Sequence, residues 1–262
     1  MSSRTLLSGV AFPLVIALVA ACDEPKPDAK AAKPSATPSV AVAPPTPTPA
    51  VTEAAAPPKK KDVVCSKENT VTFADPKFEA AVRVQAQKPD GALTKADLGK
   101  VKTLKLTETK LDELDPCIFP LFTSVKGLYL PPGKIEDLSP LKTLTTLESL
   151  VAAVTNVKDL TPLSGLAKLD RLDIGRTPVK DLTPLSGLTN LTELQIDETE
   201  VTDLTPISKL TKLEMLQMKR TRISDLSPLK DIKTLKKLFI DGSSASGKAA
   251  GLGIPGLKVH DE

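Results

Sequence analysis

One histidine, His260, and three cysteines, Cys22, Cys65 and Cys117, are the side chains of this sequence best suited to proton transfer, redox exchange or metal binding. They do not assemble into a catalytic pattern. His260 lies near the far terminus, and no Ser/His/Asp set, phosphate-binding glycine loop or His/Cys/Asp/Glu cluster accompanies it. The expectation is a non-enzyme, with no catalytic residues, no cofactor, no metal site and no small-molecule substrate. The net charge is only +3, with acids and bases interspersed, which argues against a nucleic-acid partner. Aromatics make up 3% and tryptophan is absent, so stacking platforms for single strands or sugars are scarce and Leu, Val, Ile and Ala must build the core.

Cys22 has a different chemistry open to it. Arg4 precedes an apolar run from Leu6 to Ala21, broken only by Ser8, Gly9 and Pro13, which is the layout of a secretory signal. Its end, Val19-Ala20-Ala21-Cys22, resembles a bacterial lipobox. That resemblance implies cleavage after residue 21 and a diacylglycerol on the Cys22 thiol, hence an exported chain anchored by lipid in a bacterial cell envelope, periplasmic or at the cell surface. The alternative, an uncleaved span, fits less well because the run falls short of about 20 residues and contains Pro13. Residues 22–62 are Pro, Ala, Lys, Thr and Ser with few large apolar side chains, too polar to offset their ordering entropy. They read as a disordered tether with polyproline II character, ending in Lys59-Lys60-Lys61.

From Leu104 onward the sequence repeats. The motif Asp-Leu-Ser/Thr-Pro-Leu/Ile places Asp137, Asp159, Asp181, Asp203 and Asp225 on a constant 22-residue period. In the same frame stand Leu128, Leu150, Leu172, Leu194, Leu216 and Leu238, each with an apolar residue three positions earlier and another two positions later. The period-two ending predicts one short strand per unit with one buried face. Ser/Thr-Pro predicts a tight 3-10 or single α turn opposite the strand, the hydroxyl residue capping and proline taking the first position. A weaker copy begins at Val101 and Leu104, at a 24-residue offset, with an insertion placed around Ile118 to Phe122. No unit can bury its apolar face alone, so the array must be capped.

These residues resemble the leucine-rich-repeat family, within it the internalin-like class with 22-residue units, over roughly Phe73 to Gly242. The resemblance implies an α/β solenoid: a curved parallel sheet on the concave face, short turns on the convex face, and a helical N-terminal cap. The family's inward asparagine is here threonine, at Thr109, Thr155, Thr177, Thr199 and Thr221, and the expectation is that the hydroxyls sustain an altered hydrogen-bond ladder. The cap falls in residues 63–100, where Asp75-Pro76 opens a helix with Phe78, Ala81 and Val82 on its apolar face and Thr70 to Phe73 adds an edge strand. About seven units fill residues 101–242, and residues 243–262 form a C-terminal cap or tail with a last strand at Leu257 to Val259.

With Cys22 assigned to lipid, Cys65 and Cys117 remain as an even pair in an oxidising compartment, and a disulfide is expected. The alternative is a free buried thiol replacing leucine. Cys117 is expected in the column of Leu141, Leu163 and Leu185, facing inward beneath the cap.

Side chains flanking the strand leucines should form the exposed concave face. Tyr129, Val151 and Val154 are expected to make one apolar spot there, and Met215 with Phe239 another. Between them run columns of alternating sign: Arg176, Glu198, Arg220, and Arg171, Glu193, Met215, Lys237, expected to pair laterally. Asp173, Gln195 and Gln217 complete the candidate protein-binding face. The function expected is a membrane-tethered, monomeric protein-protein interaction module. Its alternative is a structural envelope protein that contacts wall polymer through the tether.

Overall fold

The computed structural model describes residues 64–261. The expected signal peptide at 1–21, the expected lipidation site Cys22 and the expected tether at 22–62 fall outside them. Among the described residues no helix is long and apolar enough to cross a membrane.

The first elements among the described residues are two short helices, α1 (Pro76–Ala86) and α2 (Lys95–Lys100). Asp75 caps α1 by accepting from the Lys77 N–H at 2.8 Å, and proline fills the first turn, where no N–H is needed. Phe78 and Val82 are buried and Ala81 packs against the core, as the apolar stripe predicts. A capping box between Thr94 and Asp97 starts α2; bonds from Lys88 and Thr94 hold the Asp97 carboxyl well below the usual carboxylate range. The expected edge strand at Thr70 to Phe73 is reduced to one antiparallel bridge, Thr70 with Thr94.

Eight three-residue strands follow in one parallel sheet in sequence order: β1 (Thr103–Lys105), β2 (Gly127–Tyr129), β3 (Ser149–Val151), β4 (Arg171–Asp173), β5 (Glu193–Gln195), β6 (Met215–Gln217), β7 (Lys237–Phe239) and β8 (Lys258–His260). The tail thus adds the eighth strand, pairing Lys237 with Lys258 and Phe239 with His260. Between strands lie 3-10 turns, from Ser139–Leu141 through Ser227–Leu229 in the regular units, so the alternative of an α turn is not taken. The leucine columns are buried throughout and form one continuous core from Phe78 to Ile254.

The turn is capped differently from expectation. No hydroxyl side chain caps it; instead Asp137, Asp159, Asp181, Asp203 and Asp225 each accept from the N–H two residues on, all at 2.8 Å. A carboxylate reaches that donor in an Asx turn while the Ser/Thr hydroxyl bonds back to it, as Ser139 and Ser227 do. These bonds lower the carboxyls of Asp181, Asp203 and Asp225, the Thr183, Thr205 and Ser227 hydroxyl bonds contributing most.

The threonine ladder also takes another form. Thr109, Thr155, Thr177, Thr199 and Thr221 are buried, and each hydroxyl donates at 2.7–2.8 Å to the carbonyl three residues earlier in its own unit. Threonine is too short to reach the next unit as an amide could, so backbone bonds do the stitching, for example Ala152 N to Asp173 O at 2.8 Å.

The insertion sits elsewhere than expected. Asp115 caps the Cys117 N–H as Asp137 caps Ser139, and it stands one regular 22-residue period before Asp137, whereas Leu104 precedes Leu128 by the longer 24-residue offset. The two extra residues therefore lie between Thr109 and Asp115. Cys117 consequently shares the column of Ser139 and is half-buried rather than inward, while Phe119 fills the Leu141 column and packs on Phe78 at 5.6 Å. Cys117 is bonded to Cys65 with a Cα–Cα distance of 5.3 Å, closing a loop of 52 residues over the helical cap.

Candidate functional site

The exposed face of the sheet is built by alternation: in β1 to β7 the central leucine is buried and its neighbours lie on the outer face, while β8, with Val259 at that position, is exposed throughout. Strand pairing sets these neighbours in straight columns. Tyr129 pairs with Val151, as expected for one apolar spot, and Lys105 lies over the Tyr129 ring at 5.7 Å. The second spot is organised differently: Met215 pairs with Lys237 and Phe239 with Gln217 and His260. Phe239 stacks on His260 at 4.3 Å with 11° between planes, and the Lys219 ammonium lies 5.2 Å from its centroid.

Of the two charged columns, one pairs laterally. Glu198 sits between Arg176 at 3.4 Å and Arg220 at 3.1 Å. In the other, Arg171 stands opposite Glu193 but bonds its sequence neighbour Asp170 at 3.0 Å, Glu193 acting on it only at longer range. Lateral pairs missed from sequence lie one position before the strands, Lys126 with Glu148 and Lys236 with Glu214.

Just beyond the strands the backbone departs from ordinary geometry. Val154, Arg176, Glu198 and Arg220 stand in equivalent positions of successive 22-residue units and have φ of 59°, 57°, 54° and 53°, the left-handed region; the next equivalent position is Gly242 at 64°. For a non-glycine residue this conformation costs about 1–2 kcal/mol, most of all for a β-branched one. The geometry turns each N–H onto the next unit, as in Arg176 N to Asp197 O at 2.7 Å. It also sets the four side chains along the rim of a groove.

That groove has a volume of about 980 Å³ and runs over β4 to β8 from Val154 to His260. Of the residues expected on the binding face it brings together Val154, Asp173, Arg176, Gln195, Glu198, Arg220 and Phe239, and leaves Tyr129, Val151, Arg171, Glu193, Met215, Gln217 and Lys237 outside. Its floor includes a column that sequence reasoning missed: Ala153, Gly175, Asp197, Lys219 and Asp241. The same 22-residue register marks it. Gly175 is tight; a Cβ there would meet Asp173 Oδ1 at 3.3 Å.

Electrostatics on the floor are uneven. Asp241 pairs with Lys219 at 2.7 Å. Burial pushes the Asp173 carboxyl above its ordinary value, opposed by the Gly175 N–H, and pushes Asp197 up in the same way, opposed by the Lys219 backbone and charge. Among the described residues no group of three His, Cys, Asp or Glu side chains could hold a metal ion.

No protein-family model matches the chain, and no curated protein matches it. Solved structures do. An internalin, InlF, from Listeria monocytogenes superposes with a TM-score of 0.63 at 23% identity, covering 72% of this chain and 56% of its own, so this chain spans little more than half of that protein. Internalin C2 of the same organism gives 0.59 at 28% identity, over 72% of this chain and 94% of its own. A leucine-rich-repeat protein of Leptospira interrogans gives 0.52 at 19%, over 62% and 49%. Parallel sheet, 3-10 turns and 22-residue register agree with these neighbours: by its fold, this is an internalin-like leucine-rich-repeat protein.

Proposed function

We propose that the chain is an exported, lipid-anchored binding module whose sheet face engages a protein partner. In this reading residues 1–21 are removed, Cys22 carries the lipid, residues 22–62 hold the solenoid away from the bilayer, and the protein acts as a monomer. One observation carries the binding half: four successive units keep side chains at left-handed positions where glycine would fold at lower cost, and all four stand on the groove rim. The bonded Cys65 and Cys117 support export, since such bridges persist in oxidising compartments.

The test is affinity capture from the native envelope with the full chain, beside a variant carrying Tyr129→Ala, Met215→Ala and Phe239→Ala. A partner retained by the first and lost by the second is expected; equal recovery by both sinks the sheet-face reading. The structural alternative, contact with wall polymer through the tether, predicts that deleting residues 23–62 abolishes envelope association beyond the lipid's contribution. For the anchor, Cys22→Ala should lose the diacylglycerol mass, and an unchanged lipid signal refutes the assignment.

A further inference from the structure

The groove has unlike ends and an unsatisfied middle. At one end Val154 is 45% exposed; at the other stands Phe239, backed by His260. The basic side chains that line it are occupied: Arg176 and Arg220 by Glu198, and Lys219 by Asp241. Asp261, at the far edge, accepts from Ser246 and Gly247. Like Asp261 at that edge, the two carboxylates in the middle of the groove, Asp173 and Asp197, have no ion-pair partner among the described residues. Asp173 accepts from the Gly175 N–H at 2.9 Å and Asp197 from the Lys219 N–H at 2.7 Å, both backbone donors that neutralise no charge. They occupy adjacent units and raise each other's cost of ionisation, as the effect of Asp173 on Asp197 shows. Lys219, bonded to Asp241, offsets the Asp197 charge only at longer range, and no cation of the groove pairs with Asp173, so a complementary charge is left for the ligand to supply.

Resting on the reading that this face binds protein, we infer that the partner lays an extended segment across the strands, with one Arg or Lys side chain seated on Asp173 and Asp197 between two apolar side chains, one on Val154 and one on Phe239.

Strand spacing fixes the order of these anchors. Adjacent strands lie about 4.8 Å apart, so the four spacings from the β3 unit, which carries Val154, to β7 span about 19 Å. An extended chain rises about 3.3 Å per residue, which makes the distance about six residues. Asp173 and Asp197 lie about 5–10 Å from the Val154 end, hence about two residues along. Positions zero, two and six of an extended chain all point to the same side, so one face of the segment meets all three contacts. The motif is apolar, any, basic, any, any, any, apolar, in either chain direction. In a helix the residues at positions zero, two and six would not share a face, and a segment with an acidic residue in the centre is repelled.

The experiment is fluorescence anisotropy on the full chain with labelled Leu-Thr-Arg-Thr-Ser-Thr-Leu, its reversed sequence, and versions of both with Gln in place of Arg. One Arg peptide is expected to bind at least tenfold more tightly than its Gln counterpart. An Asp173→Asn, Asp197→Asn variant, whose Asn oxygens still accept the two backbone bonds, should melt no lower than the wild type at neutral pH and lose that preference. Absence of binding by both Arg peptides at millimolar concentration, equal binding of Arg and Gln peptides, or a preference that survives in the variant would each overturn the inference. Capture from the envelope separates this from the broader reading: if the Asn variant retains a partner that the Tyr129, Met215, Phe239 variant loses, the sheet face binds protein but not through a basic side chain.

Discussion

Aspartate stands on two sides of the solenoid, at the turns of every regular unit and at a few places beside the sheet, and the two sides use it in opposite ways. On the turn side the carboxylates of Asp159, Asp181 and Asp203 recur with every 22-residue unit, sit in solvent and accept a short bond from the backbone, and two of them are held below their usual range. On the sheet side Asp173 and Asp197 are half-buried and raised by that burial, and no acid holds either column from unit to unit: the Asp173 column also carries Val151, Gln195 and Phe239, and the Asp197 column carries Ala153, Gly175 and Lys219 before an acid returns at Asp241, paired there with Lys219. The repeated acid closes the fold. The acid beside the sheet carries a burial cost instead, which is what the proposed binding role would require of a side chain kept for a partner.

The largest expected effects lie where repetition is strictest or where it has to be terminated. Breaking the Cys65–Cys117 bridge, by Cys65→Ser with Cys117→Ser, should cost about 4 kcal/mol on the chain-entropy model of a 52-residue loop. Denaturant unfolding of the cap, followed by exchange protection of α1, checks this; an unchanged profile would mean that the Phe78, Phe119 and Phe122 packing alone holds the cap. Next comes Leu194→Ala in the middle of the buried column, expected to cost about 3 kcal/mol because neighbouring units cannot collapse into the cavity. Glu193→Ala beside it should change stability by less than about 0.5 kcal/mol. A large effect at Glu193 would show that the sheet face is structural after all.

How much of this is readable in the chain follows from what periodicity can and cannot carry. Strand positions, buried columns and the helix at Asp75-Pro76 are legible because burial imposes a fixed spacing on apolar residues. The position of the insertion is not: the 24-residue offset between Leu104 and Leu128 counts two extra residues without saying where in the loop they lie, and only the Asp115 cap locates them. The sequence misplaces Cys117 for that reason. The Asp-Leu-Ser/Thr-Pro motif is recognisable, yet its spacing points to the hydroxyl as the cap, since spacing alone does not distinguish two acceptors so close together. The floor column of Ala153, Gly175, Asp197, Lys219 and Asp241 escapes because its members share no chemistry, although they share a register. The pairing of Arg171 is misread because an exposed guanidinium has several carboxylates in reach, and column neighbours do not decide among them.

The smaller predictions set the two kinds of aspartate against each other directly. Asp181→Ala removes a turn cap and should cost roughly 1 kcal/mol at neutral pH. Because the folded state lowers this carboxyl, its contribution is present above the unfolded pKa and is lost as pH falls through the folded value, so wild type and variant should converge in acid. Asp173→Asn has the reverse sign. The folded state raises that carboxyl, so the native protein carries a penalty that builds as pH rises from the unfolded to the folded value and is constant above it; the variant should be more stable by about 0.5 kcal/mol at neutral pH and gain nothing in acid. Thermal melts of both variants from acid to neutral pH test the pair, and parallel slopes would erase the distinction between the two sides. The smallest effect is expected at Glu198→Gln. Its partners Arg176 and Arg220 are 62% and 71% exposed, so the pairs should contribute under about 0.5 kcal/mol to stability, and that should vanish in high salt. Freed of Glu198, the two guanidinium groups turn the rim more basic. If the groove takes a basic segment, the Arg peptide should bind this variant more weakly at low salt while the fold is unchanged, which separates the rim's influence on a ligand from its influence on the solenoid.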